Sequence, residues 1–213
     1  MDDARQVEDR LRAEYVELLP AMRRTLTAMT TEVNHVLLGA ILELDPHEQI
    51  VVKGRVKDSE SAVDSLRRRQ RLGRFDLDHA ERYSLTTLPD LIGIRVLIFP
   101  QRRLQNVRRI LEAEPRLSAW IDDHLSSPDS TQPPIGFKYH GLWNPADPFR
   151  SELQVVSLLI GLFWEVEHST IYKPAPRLQG IAGSMSMKGR NDAVLTALQQ
   201  FEQEFDRQIE GGD

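Results

Sequence analysis

Ser151-Glu-Leu-Gln-Val-Val156 narrows the fold more than any other stretch, because it alternates polar and apolar side chains inside an otherwise apolar region. Glu152 and Gln154 stand two residues apart, so on a strand both project from one face. Burying two acceptors is costly unless a cation or a hydrogen-bond donor meets them. A metal-bound phosphate would do so; on a half-exposed strand, water would serve equally well. The segment runs into Leu158-Leu-Ile-Gly-Leu-Phe-Trp-Glu-Val-Glu-His168, and a sister segment, Leu88-Pro-Asp90-Leu-Ile-Gly-Ile-Arg95-Val-Leu-Ile-Phe99, repeats the design. A lone strand arginine is ordinarily an ion-pair partner. Two acids on two core strands nevertheless point to a divalent-metal site.

The rest of the pattern surrounds these strands with helices. Apolar residues at three- and four-residue spacing predict helices over Arg5–Leu18 and Met22–Leu44, with Pro20 at the junction. A strand follows over Gln49–Lys57, then a helix with Asp58 at its N-cap running into Arg67-Arg-Arg-Gln-Arg71. Helix signals return over Asp76–Tyr83, a strand covers Leu91–Phe99, and Arg102–Glu114 is amphipathic. Ser126–Pro134 reads as an exposed loop before a strand near Gly136–Trp143. After the Glu152 strand and a helix to Tyr172, a Pro- and Gly-rich stretch over 174–190 reads as a mobile loop, and a last helix spans Asp192–Ile209. Alternating strands and helices predict an α/β (α+β) fold with a mixed central sheet flanked by helices. One domain over 1–213, with its core at 49–173, accommodates the whole pattern.

Composition excludes several chemistries. The chain has no cysteine, which removes disulfides, zinc thiolates and thiol nucleophiles. Met1-Asp-Asp lacks the basic start of a secretory signal, and the apolar run at Val155–Trp164 is too short to span a bilayer, so a cytoplasmic protein without membrane contact is expected. The net charge of −5 argues against bulk attraction to nucleic acid. Lysine occurs only at 53, 57, 138, 173 and 188, so most positive charge is arginine, which suits bidentate phosphate contacts and stacking on a base. No Walker-type phosphate loop is present.

The order of four motifs resembles the RelA/SpoT alarmone synthetases, in particular the small single-domain type that lacks a hydrolase domain. The motifs are Arg55-Val-Lys57 followed by Ser61, Asp90-Leu-Ile-Gly-Ile-Arg95, Glu152-Leu-Gln154, and Trp164-Glu-Val-Glu-His168 with Tyr172-Lys173. The resemblance implies a nucleotidyltransferase-like fold and a Mg²⁺-dependent pyrophosphokinase that moves pyrophosphate from ATP to the 3′-hydroxyl of GDP or GTP. Residue by residue, it implies that Arg55 and Arg95 sandwich adenine, that Lys57 and Ser61 face the triphosphate, and that Asp90 and Glu152 hold Mg²⁺. It also implies that Glu152 helps to deprotonate the acceptor hydroxyl and that Gln154 supports the same face. A homo-oligomer using the apolar faces of the terminal helices is a further implication.

Departures from the family pattern touch a phosphate contact, which Arg67 to Arg69 could supply, and above all the acceptor loop. Relatives carry a lysine where this chain has Ser65, and an Arg-Thr pair where it has Val156-Ser157. Relatives also place a guanine-stacking tyrosine four residues before a histidine, whereas this chain reads Gly136-Phe-Lys-Tyr-His-Gly-Leu-Trp143. Either Tyr139 with Trp143, or Phe137 with Gly141, takes that register, with Tyr139 the preferred stacking ring. Two other readings stay open. A toxin-type relative would pyrophosphorylate adenine nucleotides or the 3′ end of tRNA, received by Arg67, Arg68, Arg69, Arg71 and Arg74 with Arg102, Arg103, Arg108 and Arg109. A degenerate relative would only bind a nucleotide and regulate a partner.

Overall fold

A computed structural model describes residues 2–126, 136–167 and 185–211 of this chain. Five strands form one mixed sheet in the order β1-β2-β5-β4-β3. They are β1 (Gln49–Val56), β2 (Ile92–Phe99), β3 (Ile121–Ser126), β4 (Gly136–Gly141) and β5 (Ser151–Ser157). β2 and β5 run parallel at the centre, and the remaining neighbours pair antiparallel. The helices are α1 (Asp2–Leu42), α2 (Ser59–Arg68), α3 (Leu104–Ala113), α4 (Pro115–Trp120), α5 (Leu158–Glu167) and α6 (Met185–Glu210). The expected α/β architecture with a mixed sheet and flanking helices is the one observed.

Strand alternation assigns the two faces of the sheet. Ile92, Ile94, Val96, Leu153, Val155, Phe137 and Tyr139 point into the main core with α1 and α3. Leu97, Val156 and Ile160 build a smaller cluster with Leu195 and Leu198 of α6 on the other face. The rest of that second face, at the Arg95 and Glu152 level, is left for polar side chains.

Several element boundaries differ from the sequence expectation. The two N-terminal helices are one, and Pro20 lies inside it. Proline in a helix interior costs about 3 kcal/mol. Here Pro20 is exposed, Val16 one turn earlier is 67% exposed, and water can meet the freed carbonyl. The buried stripe of Val7, Leu11, Met22, Met29, Val33 and Leu37 runs through the site of the break, so packing outweighs the lost bond. Leu77–Arg82 is a 3₁₀ turn rather than an α-helix, and α6 begins at Met185 rather than Asp192. α4 and β3 were not foreseen. The predicted Asp58 cap is present, its side chain accepting from the Ser61 N–H at 2.8 Å. His168, Tyr172, Lys173 and most of the loop expected over 174–190 lie outside the described residues, as does nearly all of the loop expected over 126–134.

α6 carries one buried acid. Glu202 is fully buried and accepts from the Ser157 hydroxyl. Burial, with Asp206 one turn away adding like charge, raises its pKa. A carboxyl raised in the folded state favours folding below its unfolded pKa of about 4.3, and that contribution is lost as pH climbs through the folded value. Glu202→Gln keeps an acceptor for Ser157 and removes the charge. Its melting temperature should exceed the parent's at pH 8 and match it near pH 4; equal melting at both would remove the buried charge from the account.

Candidate active site

The β1 side of the site begins with alternation. Gly54 turns toward Leu26 and Thr30 of α1, so Lys53 and Arg55 turn to the opposite face. The Lys57 N–H donates to the Leu91 carbonyl at 2.8 Å, which prolongs the pairing with β2 and carries Lys57 to the same face. Arg55 lies opposite Gly93, and its side chain crosses the space that a Cβ there would share, at 3.9 Å. Arg95 enters from β2, beside Gln154 of β5.

These residues line one cavity of about 1030 Å³. Arg55, Lys57, Ser61, Asp90, Arg95, Glu152 and Gln154 all reach it, together with Lys53, Lys138, Trp164 and Glu165. That volume suits a nucleotide-sized ligand. Seven residues assigned from three separated motifs are thus brought together.

Hydrogen bonds hold the floor of the cavity in a continuous line. His140 Nε2 lies 3.0 Å from Glu152 Oε2, and the Gln154 amide donates to the other Glu152 oxygen. Gln154 Oε1 in turn accepts from Arg95 Nε at 2.8 Å. Arg95 Nη1 reaches the Gly161 carbonyl at 3.3 Å and Glu165 at 3.5 Å. A Cβ at Gly161 would come within 2.3 Å of Leu97 Cδ2, so a larger residue there would have to displace that side chain. Glu165 also pairs with Lys53 at 3.1 Å.

The two acids sit in different electrostatic settings. Burial pushes the Asp90 carboxyl upward, but Lys57 at 2.5 Å and then Arg55 outweigh it, leaving Asp90 depressed. Glu152 is depressed likewise, with His140 and Lys138 outweighing burial and the like charge of Asp90. Both are therefore anionic at neutral pH. Burial, followed by the charge of Arg55, lowers the pKa of Arg95.

Asp90 Oδ1 is buried without a hydrogen-bond partner among the described residues. An orphaned carboxylate oxygen beside a second carboxylate is a donor set that fits a hard, oxygen-seeking ion such as Mg²⁺, which commonly takes one or two carboxylates plus waters. The one other acidic cluster among the described residues, Asp45, His47 and Glu48, does not fit: Arg102 and Arg103 both pair with Glu48.

β4 corrects the acceptor expectation. Phe137 and Tyr139 are 2% and 1% exposed on the core face, away from the cavity. The Arg108 guanidinium lies 4.3 Å from the Phe137 ring centre, and the Tyr139 hydroxyl donates to Glu112 at 3.0 Å. Neither ring can stack on a ligand in the cavity. Trp143 rests edge-on against Trp120, with Arg116 over it at 4.7 Å. The physical reason is register: Lys138 lies opposite Gln154 and His140 opposite Glu152, so the even-numbered positions face the site. Sequence reading missed Lys138 and His140 for this reason. Their two-residue spacing was the available signal, but alternation alone does not say which face is which.

No family model matches the sequence, and no curated protein matches it either. Solved structures do resemble this one. Small alarmone synthetase 1 from Bacillus subtilis bound to AMPCPP is 18% identical, with a TM-score of 0.63 over 93% of this chain and 96% of that one. The same protein bound to its product pppGpp is 18% identical, at 0.67 over 94% and 98%. A GTP pyrophosphokinase family protein from Streptococcus pneumoniae is 17% identical, at 0.66 over 91% and 92%. The fold of this chain is that of the RelA/SpoT-type small alarmone synthetases, as the order of its motifs implies.

Proposed function

We propose that this chain is an ATP-dependent pyrophosphokinase that transfers pyrophosphate to the 3′-hydroxyl of GDP or GTP, making a (p)ppGpp-type alarmone. The observation that carries the reading is the convergence of Arg55, Lys57, Ser61, Asp90, Arg95, Glu152 and Gln154 on one nucleotide-sized cavity. The resemblance to structures holding an ATP analogue and pppGpp supports both substrates. In the reaction, the acceptor 3′-oxygen attacks the β-phosphorus of ATP. The bond from that phosphorus to the bridging oxygen breaks, AMP leaves, and the hydroxyl proton passes to the Glu152 carboxylate.

Arg55 and Arg95 flank the adenine, and Lys57, whose amine also lies 3.5 Å from Ser65 Oγ, is placed with Ser61 for the triphosphate. Arg68, which lines the cavity, stands in for the lysine that Ser65 replaces. Asp90 and Glu152 hold Mg²⁺, which when bound neutralises charge on the transferred group. Exposed apolar residues on α1 and α6, among them Val16, Leu42 and Phe201, serve self-association.

Incubating the pure protein with radiolabelled ATP, Mg²⁺ and, separately, GDP, GTP, ADP, ATP and bulk tRNA tests this. Labelled GDP and GTP are expected. Label on tRNA or on adenine nucleotides alone would select the toxin-type reading. Binding without transfer in every case would select the regulatory one. The paired state of Arg102, Arg103, Arg108 and Arg67 with Glu48, Glu112, Glu8 and Asp64 argues against an RNA-receiving surface.

The two arginines should separate on mutation. Arg55 is exposed, whereas Arg95 holds Gln154 and the Gly161 carbonyl. Arg55→Ala should weaken ATP binding by roughly 1 to 2 kcal/mol without altering the melt. Arg95→Ala should weaken it similarly and also lower the melting temperature. Calorimetric titration beside thermal melts reads both; unchanged ATP affinity in Arg55→Ala would remove the sandwich.

A further inference from the structure

The cavity has two chemically different ends. Lys57, Ser61 and Asp90 stand at one of them. Lys53 precedes Lys57 by four residues, so the spacing of a strand puts it on the same face, roughly 13 Å away along β1. There it pairs with Glu165 of α5 at 3.1 Å, and Trp164 lines the cavity as well. Arg55 stands between the two lysines, and Arg95 lies directly opposite Lys53 on β2. With the triphosphate at the Lys57 end and adenine between the two arginines, the edge of the base that points away from the ribose faces Lys53 and Glu165.

Arg95 is held by its rim. Its Nε donates to Gln154 and its Nη1 to the Gly161 carbonyl, which leaves the faces of the guanidinium plane for a ring. Glu165 follows Gly161 by one turn of α5, so both meet Arg95 from the same side. Glu165 Oε1 lies 3.5 Å from Arg95 Nη1, and Oε2 accepts from Lys53. Two cations therefore hold a carboxylate beside the plane on which the base stacks. An ionised carboxylate has about four lone-pair sites and donates nothing, so after Lys53 it still has room to accept. Adenine presents a 6-amino donor on the edge away from its ribose. A 6-oxopurine presents an acceptor there, which a carboxylate repels.

Building on the pyrophosphokinase reading, we infer that Glu165 sorts the donor nucleotide by its base: its carboxylate accepts from the 6-amino group of the donor purine, and Lys53 is a positioning residue that holds the carboxylate in place. The donor site then takes 6-aminopurine triphosphates, and a 6-oxopurine triphosphate is confined to the acceptor role. A reaction between two purine nucleotides needs such a device, because both carry the phosphates that the Lys57 end of the cavity would bind. The Glu165 side chain is 42% exposed, so the discrimination is of tens of fold rather than thousands.

The test uses the full chain with Mg²⁺ and follows displacement of a labelled, non-hydrolysable ATP analogue, for the parent and for Glu165→Gln. The competitors are ATP, purine riboside triphosphate, which lacks the 6-amino group, and inosine triphosphate, which carries a 6-oxo group. In the parent, ATP should displace the analogue at a concentration about tenfold lower than purine riboside triphosphate and about thirtyfold lower than inosine triphosphate. Glutamine has an amide that accepts from a 6-amino group or donates to a 6-oxo group, so Glu165→Gln should bring ATP and inosine triphosphate within about threefold of each other. Equal displacement by the two in the parent would overturn the inference. So would a weakening of all three competitors by one common factor in Glu165→Gln, since that outcome makes Glu165 a prop for Arg95 and no reader of the base. Displacement needs no turnover: if no acceptor is ever labelled, the pyrophosphokinase reading fails, and the ratio of ATP to inosine triphosphate still decides whether Glu165 reads the purine.

Discussion

Asp90→Asn and Glu152→Gln should each lower turnover at least about a hundredfold, equivalent to about 2.7 kcal/mol of transition-state stabilisation. Both changes keep shape and volume and remove a charge. Asp90 loses its ion pair with Lys57, and its orphaned buried oxygen ceases to be an anionic donor. Glu152 loses the capacity to take the acceptor proton, although Gln still reaches His140 and Gln154. Divalent-cation binding, followed by calorimetry with Mg²⁺ and a non-hydrolysable ATP analogue, should weaken in both variants and most in Asp90→Asn. Near-parental turnover in either variant would sink the assignment of these carboxylates.

The pH dependence has a sign that follows from the same contacts. Asp90 and Glu152 are both depressed, so each contributes stability present above the unfolded carboxylate values of about 4 and lost as pH falls through the lower folded ones. Acid should therefore disturb the site and the fold together.

How much of this was legible beforehand follows from what alternation and order can and cannot convey. The central strands were readable because β2 and β5 are buried runs interrupted at fixed spacing by Arg95, Glu152 and Gln154. The cap at Asp58 was readable because an N-cap is a local feature, set by side chain and backbone within one turn. The continuous α1 was not, because Pro20 is a local breaker and the stripe that overrides it is bound by tertiary packing. The face of β4 was illegible for a different reason. A strand of six residues with Phe137 and Tyr139 on one side and Lys138 and His140 on the other presents two acceptable faces, and only pairing with β5 chooses between them. Resemblance suggested a stacking ring; burial of a large apolar area prevailed.

Truncating the two rings of β4 should then act on stability rather than on acceptor use. Phe137→Ala removes a fully packed ring beneath Arg108 and should cost about 3 to 5 kcal/mol, and Tyr139→Ala should cost a similar amount. Tyr139→Phe removes a hydroxyl whose ionisation is made harder by burial and by Glu112, one that donates to Glu112 and also meets the Arg108 guanidinium. Glu112 retains Arg108 at 2.9 Å, so no acceptor is stranded, and the cost should stay near 1 kcal/mol. Denaturant melts measure all three, and acceptor saturation measured below the melting transition provides the contrast. If β4 is a core strand on this face, the acceptor KM of the folded fraction stays within about threefold of the parent in every variant. Were Tyr139→Ala or Phe137→Ala to melt like the parent and fail to saturate with GDP, that ring would turn to the cavity in the working enzyme, and the strand register described above would be the part to abandon.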